Sequence, residues 1–317
     1  MKKILIRGPD TIGSFVLATP FYRELRKNLP KDYIVLCVKP LVYQLAKNCP
    51  YVNKVILYEK NFFSNLKNFM SEKFETVYLI SGSFESAFVS YLAKIKERIG
   101  YPHDHRGFLL TKKIFEKEKK HYIDYMLFIL ESLGFSVEDR QPELYIKKFS
   151  DTKFDYIFED KVPVVGITYS SIANDARNWP LNYVIELSYK LIENGYKVVL
   201  LGKNRLHKKV DIGNKEFIDL VNLTSLEEFI NIVRKLHTYI SVATGGLHIA
   251  ALLGIKTVAL YIPGDESWLP YGENVSVIIK NVKCGPCNQH KMKYCKDNKC
   301  LKIITPDEVF KTISSRY

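Results

Sequence analysis

No apolar run in this 317-residue chain approaches the ~20 residues that a membrane span needs. Met1-Lys2-Lys3 has the charge of a secretory signal, but only Ile4, Leu5 and Ile6 precede Arg7 and Gly8, so the apolar core of such a signal is missing. These two absences predict a cytoplasmic protein with reduced cysteines. No internal repeat and no low-complexity tract occurs, which excludes solenoids and disordered arrays. Acidic residues are the scarce charge: 34 Asp and Glu stand against 47 Lys and Arg, a formal net charge of +13. The excess sits mostly in residues 1–150, where 25 cations oppose 16 acids. Such a half either meets a polyanionic partner (nucleic acid, an anionic lipid surface or a phosphorylated substrate) or only solvates its own surface.

What is present reads as ordinary globular protein, 47% hydrophobic and 26% charged. The length suggests two domains, each with a core of its own. Short β-branched runs alternate with longer amphipathic ones. "KKILIRG", "YIVLCV", "KVILY" and "TVYLI" read as strands, "SFVLATPFYRELRKNL" as a helix, and "HYIDYMLFILESLG" as a helix ended by Gly134. Residues 135–160 are mixed and charged, and the domain boundary is expected there, between 155 and 156. The alternation then restarts. "VPVVGITY", "YKVVLLG", "TYISVA" and "KTVALYI" read as strands. The helices between them are "NYVIELSYKLIENG", "SLEEFINIVRKL" with Ser225 as N-cap, and "LHIAALLG". This pattern means parallel sheet, here two doubly wound α/β domains of similar size facing across a cleft. Ligands are then expected where strands end and helices begin.

Three loops sit at such places. Gly8 to Ser14 contains one carboxylate, Asp10, and glycines that permit close backbone approach; the alternative is a plain strand-to-helix turn. Thr168 to Pro180 is rich in hydroxyls and places Arg177 just ahead of Trp179-Pro180, near a helix start. There a guanidinium and free N–H groups would clamp a diphosphate, unless Arg177 merely stacks on Trp179. "SVATGGLHIAALLG", residues 241–254, turns from strand to helix through Thr244, Gly245 and Gly246, with His248 one turn in. It presents bare N–H groups to an anion without being G-x-G-x-x-G or a G-K-[ST] phosphate loop. His248 faces either a ligand or the core. Separately, Cys284, Cys287, Cys295 and Cys300 are spaced C-x2-C-x7-C-x4-C. Reduced, they suggest a four-thiolate site for structural zinc or iron; the alternatives are free thiols or a redox disulfide. Cys37 and Cys49 are expected to be buried hydrophobes.

The order of these segments resembles glycosyltransferase family 9, the ADP-heptose:lipopolysaccharide heptosyltransferases of GT-B fold. "ILIRGPDTIGSFVLATPFYRELRKNLP" is similar to the family's opening strand, G-D loop and first helix. "GSFESAFVSYLAKIKERIGY" and "RGFLLT" resemble the middle of its N-terminal domain. "ARNWP" is similar to its Lys-x-Trp-Pro element, "VATGGLHIAALLGIKTVALYIP" to its donor-binding D-[ST]-G-x-x-H segment, and the Cys-rich tail before "ITPDEV" to that of many members. Order and spacing together, rather than any one motif, carry the likeness.

The resemblance implies an inverting transfer of heptose, or a related sugar, from an ADP-sugar to a lipopolysaccharide core or related glycan. No obligatory catalytic metal is implied. Residues 1–155 would bind the acceptor and 156–317 the nucleotide-sugar. Thr168, Ser170, Arg177, Thr244, Gly245, Gly246 and His248 would hold the donor, and Thr11 and Gly13 would belong to the acceptor loop. The acceptor would be a lipid-linked phosphorylated glycan, reached by peripheral contact with the cytoplasmic face of the inner membrane, and no nucleic acid is expected. Three positions depart from the family pattern, one of them Arg177, which stands where the family has a lysine and keeps the charge but not the compact ammonium. Ser14 stands where an aspartate, the expected base, follows the glycine, and Ala243 stands where another would hold the sugar. Serine alone is too weak a base, so Asp10 on the same loop is the substitute. The alternative is a weak or inactive homologue that binds nucleotide-sugar or glycan as a scaffold. A nucleic-acid binder, suggested by charge and tyrosine content alone, ranks last.

Overall fold

The computed structural model describes residues 1–80, 83–116, 121–146, 152–172, 176–264 and 266–314. The chain forms two compact units, Met1–Lys147 and Lys148–Tyr317. The division falls ahead of the expected 155/156 boundary, and residues near that boundary bond within the second unit. Asp155 pairs with Lys235 at 2.8 Å, and Lys197 donates to the Ile157 carbonyl at 2.9 Å.

The first unit contains β1 (Lys3–Arg7), β2 (Tyr33–Val38), β3 (Lys54–Leu57), β4 (Thr76–Leu79), β5 (Glu97–Gly100) and β6 (Lys112–Lys113), in sheet order β3-β2-β1-β4-β5-β6. The second contains β7 (Val164–Thr168), β8 (Lys197–Leu200), β9 (Phe217–Asp219), β10 (Thr238–Val242), β11 (Lys256–Tyr261) and β12 (Val275–Ile279), in order β12-β11-β10-β7-β8-β9. Every pairing between these strands is parallel. Both sheets have the strand order of a dinucleotide-binding fold, with a switch point between β1 and β4 in one and between β7 and β10 in the other. Buried apolar runs explain the central strands: Ile4, Leu5 and Ile6 in β1 and Val164, Val165 and Ile167 in β7 are at most 2% exposed.

Helix starts follow local chemistry. Ser225 caps Leu226–Val233 in a reciprocal capping box with Glu228. The expected first helix is two, Ile12–Leu17 and Thr19–Asn28. Pro20 has no N–H to give and its ring crowds the preceding turn, so the chain breaks at Ala18. Strands β5, β6, β9 and β12 were not expected; β5, β6 and β9 are short and β12 is only partly buried, so their hydrophobic pattern is weak.

Candidate active site

In the first unit β1 delivers its last residue, Arg7, into the interior, where its side chain is 0% exposed. The guanidinium lies over the Tyr58 ring at 4.2 Å and donates to the Gly8 carbonyl. Its Nη2 donates to Asp10 Oδ1 at 2.6 Å. Asp10 Oδ2 meets Lys39 Nζ at 2.8 Å. Asp10 therefore bridges a buried cation and a half-exposed one, with both oxygens engaged. A carboxylate has about four lone-pair directions, so each oxygen keeps one for a further donor. Thr11 is the N-cap of Ile12–Leu17, and its Oγ1 lies 2.5 Å from Ser14 Oγ. Ser14 Oγ also donates to the Thr11 carbonyl at 3.1 Å. Ser14, buried beside Gly13, closes the first turn of the helix. Burial above all, then Tyr125 and the charge of Asp10, raises the hydroxyl pKa of Tyr122 beside this loop.

In the second unit the two expected donor loops leave adjacent strands. Ser241 of β10 is in register with Thr168 of β7, so the loops start side by side at the switch point. Tyr239 ties them from below. Its hydroxyl lies 2.6 Å from Thr168 Oγ1, which also donates to the Leu201 carbonyl at 3.0 Å. Burial pushes the Tyr239 hydroxyl up to about 12, so it stays protonated. Gly246 rests on the same ring: a Cβ there would come within 2.5 Å of Tyr239 Oη and 2.9 Å of Phe229 Cζ. The second glycine of the turn is thus required by packing underneath, whatever binds above. The helix Gly245–Leu252 begins earlier than expected, with Thr244 as an extended N-cap that makes no side-chain cap. Thr244 Oγ1 turns instead toward Ser241 Oγ at 3.1 Å. Thr244, Gly245 and Gly246 are half-buried, while His248 is buried at 5% exposure.

Ser170 is buried and accepts from Asn204 Nδ2 at 2.9 Å. Trp179 is a core anchor, its backbone N–H on the Tyr169 carbonyl at 2.7 Å and its indole N–H on the Ile304 carbonyl at 3.0 Å. Arg177 is half-buried ahead of the helix Leu181–Glu193. Residues 173–175 of this loop lie outside the described residues. Sequence reasoning missed a buried relay beside the loop: Tyr169 Oη lies 2.8 Å from His207 Nδ1, and His207 Nε2 lies 2.7 Å from Asp219 Oδ2. It also missed Arg7, Lys39, Tyr239 and Asn298. None of them has a motif, and only long-range contacts give them a role.

The four clustered cysteines are neighbours that differ in depth. Cys284 and Cys295 are exposed, Cys287 is half-buried and Cys300 is buried. Burial, then the nearby Cys287, pushes the Cys300 thiol up to about 11, with smaller contributions from Cys295 and Cys284. Among the described residues no group of three or more His, Cys, Asp or Glu side chains is placed to hold a metal ion. The tetrahedral thiolate site suggested by the spacing is not seen among the described residues, where Cys300 lies in the core and Cys284 and Cys295 lie at the surface. Cys37 and Cys49 are buried, as expected.

Residues 63–297 match the family description "Glycosyltransferase family 9 (heptosyltransferase)". The chain belongs to glycosyltransferase family 9. A relative, lipooligosaccharide heptosyltransferase 2 of Haemophilus ducreyi, is 24% identical over 347 residues, covering 98% of each chain. Lipopolysaccharide heptosyltransferase 2 of Escherichia coli is 25% identical over 300 residues, covering 84% of this chain and 85% of that one. The solved Escherichia coli ADP-heptose lipopolysaccharide heptosyltransferase II superimposes with a TM-score of 0.77 at 22% identity, over 99% of this chain and 98% of the other. The expected GT-B fold is thereby confirmed. Among the described residues no helix is long and apolar enough to cross a membrane.

Proposed function

We propose that this family 9 protein is an inverting transferase that moves heptose from ADP-heptose to a lipopolysaccharide-core type of acceptor. The observation that carries the reading is the placement of the Thr168–Pro180 loop and the Thr244–His248 turn on adjacent strands at one switch point. Anions bind at such a place in this fold, where backbone N–H groups point outward. The diphosphate is received by the N–H groups of Gly245 and Gly246 and by Arg177, which meets the charge that develops as the anomeric C–O bond to phosphate breaks. The acceptor hydroxyl oxygen forms the new bond to the anomeric carbon, its proton passes to Asp10, and ADP leaves. Thr168 holds the loop wall, since its hydroxyl already donates to the Leu201 carbonyl, while Ser170, whose hydroxyl only accepts from Asn204 Nδ2, keeps its own proton for the donor. Ser14 serves the helix start.

The acceptor is lipid-linked, and the first unit presents a surface that suits it. Phe63, Phe62, Phe88, Phe84 and Phe108 form a continuous ribbon of rings, each 5.6 to 6.2 Å from the next. Both end rings are 75% exposed. Phe63 shares a shallow apolar hollow with Met70 and the stem of Lys67. Exposed aromatics beside lysines are the composition of a membrane-interface surface.

Release of ADP from ADP-heptose in the presence of core acceptor tests the activity. A second reading, a scaffold that binds nucleotide-sugar without turnover, is favoured by Ala243 and by the two cations on Asp10. It predicts measurable ADP binding but no ADP release across a panel of nucleotide-sugars.

A further inference from the structure

The Cys-rich segment reaches the cation loop through a residue that is not a cysteine. Asn298 is the N-cap of the short helix Lys299–Lys302. Its Nδ2 donates to the Ala176 carbonyl at 3.0 Å and to the Asn178 carbonyl at 2.6 Å. Those carbonyls flank Arg177. A primary amide carries both N–H groups on one nitrogen, so this single side chain grips the backbone on either side of the cation. The same stretch of chain holds the loop at two more points: Ala176 N donates to the Met292 carbonyl at 3.3 Å, and Trp179 Nε1 to the Ile304 carbonyl. Asn298 is itself fixed. Its carbonyl accepts from the N–H groups of Leu301 and Lys302, and Leu301 and Ile304 are fully buried.

We infer that Asn298 is a positioning residue for Arg177, and that the Cys-rich segment acts as a buttress of the diphosphate site. By holding the loop on both sides, Asn298 sets the guanidinium before the donor arrives, so binding does not have to order it. This rests on the assignment of Arg177 to the diphosphate made above.

The test compares binding of ADP and AMP, by calorimetry, to the full chain and its variants. AMP lacks the phosphate that the clamp would distinguish. Asn298→Asp keeps the shape of the side chain but has no donor, and it turns a carboxylate toward two carbonyl oxygens. The expected result is ADP binding weakened about tenfold, with AMP binding within about twofold of the parent. Arg177→Ala weakens ADP similarly, and the double variant is no weaker than Arg177→Ala alone, because Asn298 acts through the arginine. Asn298→Ala removes the donors without adding charge and carries the same expectation if the aspartate variant does not fold. Unchanged ADP binding in both Asn298 variants, with Arg177→Ala impaired, overturns the positioning role and leaves the clamp standing. Unchanged ADP binding in Arg177→Ala overturns the clamp and this inference with it. Equal loss of ADP and AMP in Asn298→Ala means general collapse of the loop and also overturns the inference.

Discussion

Lys39 Nζ stands 2.8 Å from Asp10 Oδ2 while Arg7 holds the other oxygen at 2.6 Å, so the one carboxylate of the first loop is bound on both sides by the chain's own cations. The pair with Lys39 is half-exposed and adds little stability, whereas the pair with Arg7 satisfies a buried guanidinium. Asp10→Asn should therefore have two effects. Turnover should fall about 10²- to 10⁴-fold if Asp10 accepts the acceptor proton. Stability should fall by about 1–3 kcal/mol as Arg7 loses a charged partner. ADP titration and thermal denaturation separate the two: unchanged ADP affinity with lost ADP release marks the base, and full turnover would remove Asp10 from that role.

Gly246→Ala should destabilise the second unit by about 1–3 kcal/mol, since its new methyl meets Tyr239 Oη at 2.5 Å. Adding Tyr239→Phe removes the clashing oxygen and should recover part of the loss, although it also gives up the hydrogen bond to Thr168. Denaturant titration of the two single variants and the double variant gives the coupling. An unperturbed Gly246→Ala protein would show that the turn can move away from the ring.

The thiols should fall into two kinetic classes. Cys284 and Cys295 are exposed and should react with a thiol reagent at pH 8 in the native protein. Burial holds Cys37 at about 12 and Cys49 and Cys300 at about 11, so at pH 8 they are neutral and slow until the chain unfolds. Mass spectrometry of timed alkylation reads the order. Protection of Cys284 and Cys295 that a chelator removes would instead mean a metal held by the thiols.

Replacing both ends of the phenylalanine ribbon, Phe63→Ser with Phe108→Ser, should leave the melting temperature within a few degrees, because both rings are already 75% exposed. Co-sedimentation with vesicles containing anionic lipid should fall at least about tenfold, and binding of the parent should weaken in high salt. Equal sedimentation of parent and variant would take the ribbon out of membrane contact.

The candidate site was legible in part. The strand-to-helix turns at Gly8–Ser14, Thr168–Pro180 and Thr244–His248 announce themselves because small residues, hydroxyls and Pro stand where an apolar strand run stops. Their neighbours do not. Arg7 reads as the charged end of a strand, and its interior place becomes visible only once Tyr58 and Asp10 pack around it. Tyr239 reads as a strand tyrosine, yet it joins two loops and dictates Gly246. The cysteine spacing suggested a shared ligand set, but spacing says nothing of depth, and Cys300 lies in the core while Cys284 lies outside it.

Sequence alone determined the alternation of buried strands and amphipathic helices, hence parallel sheets in two units, because burial on both faces demands near-continuous apolar runs. It also determined the helix caps, which depend on residues a few positions apart. Tertiary structure decided which strand lies beside which, and so brought the β7 and β10 loops together. It decided that Asp10 bridges two cations, and that Asn298 grips the loop around Arg177 from 120 positions away. Those relationships depend on packing between distant segments, and no local pattern encodes them.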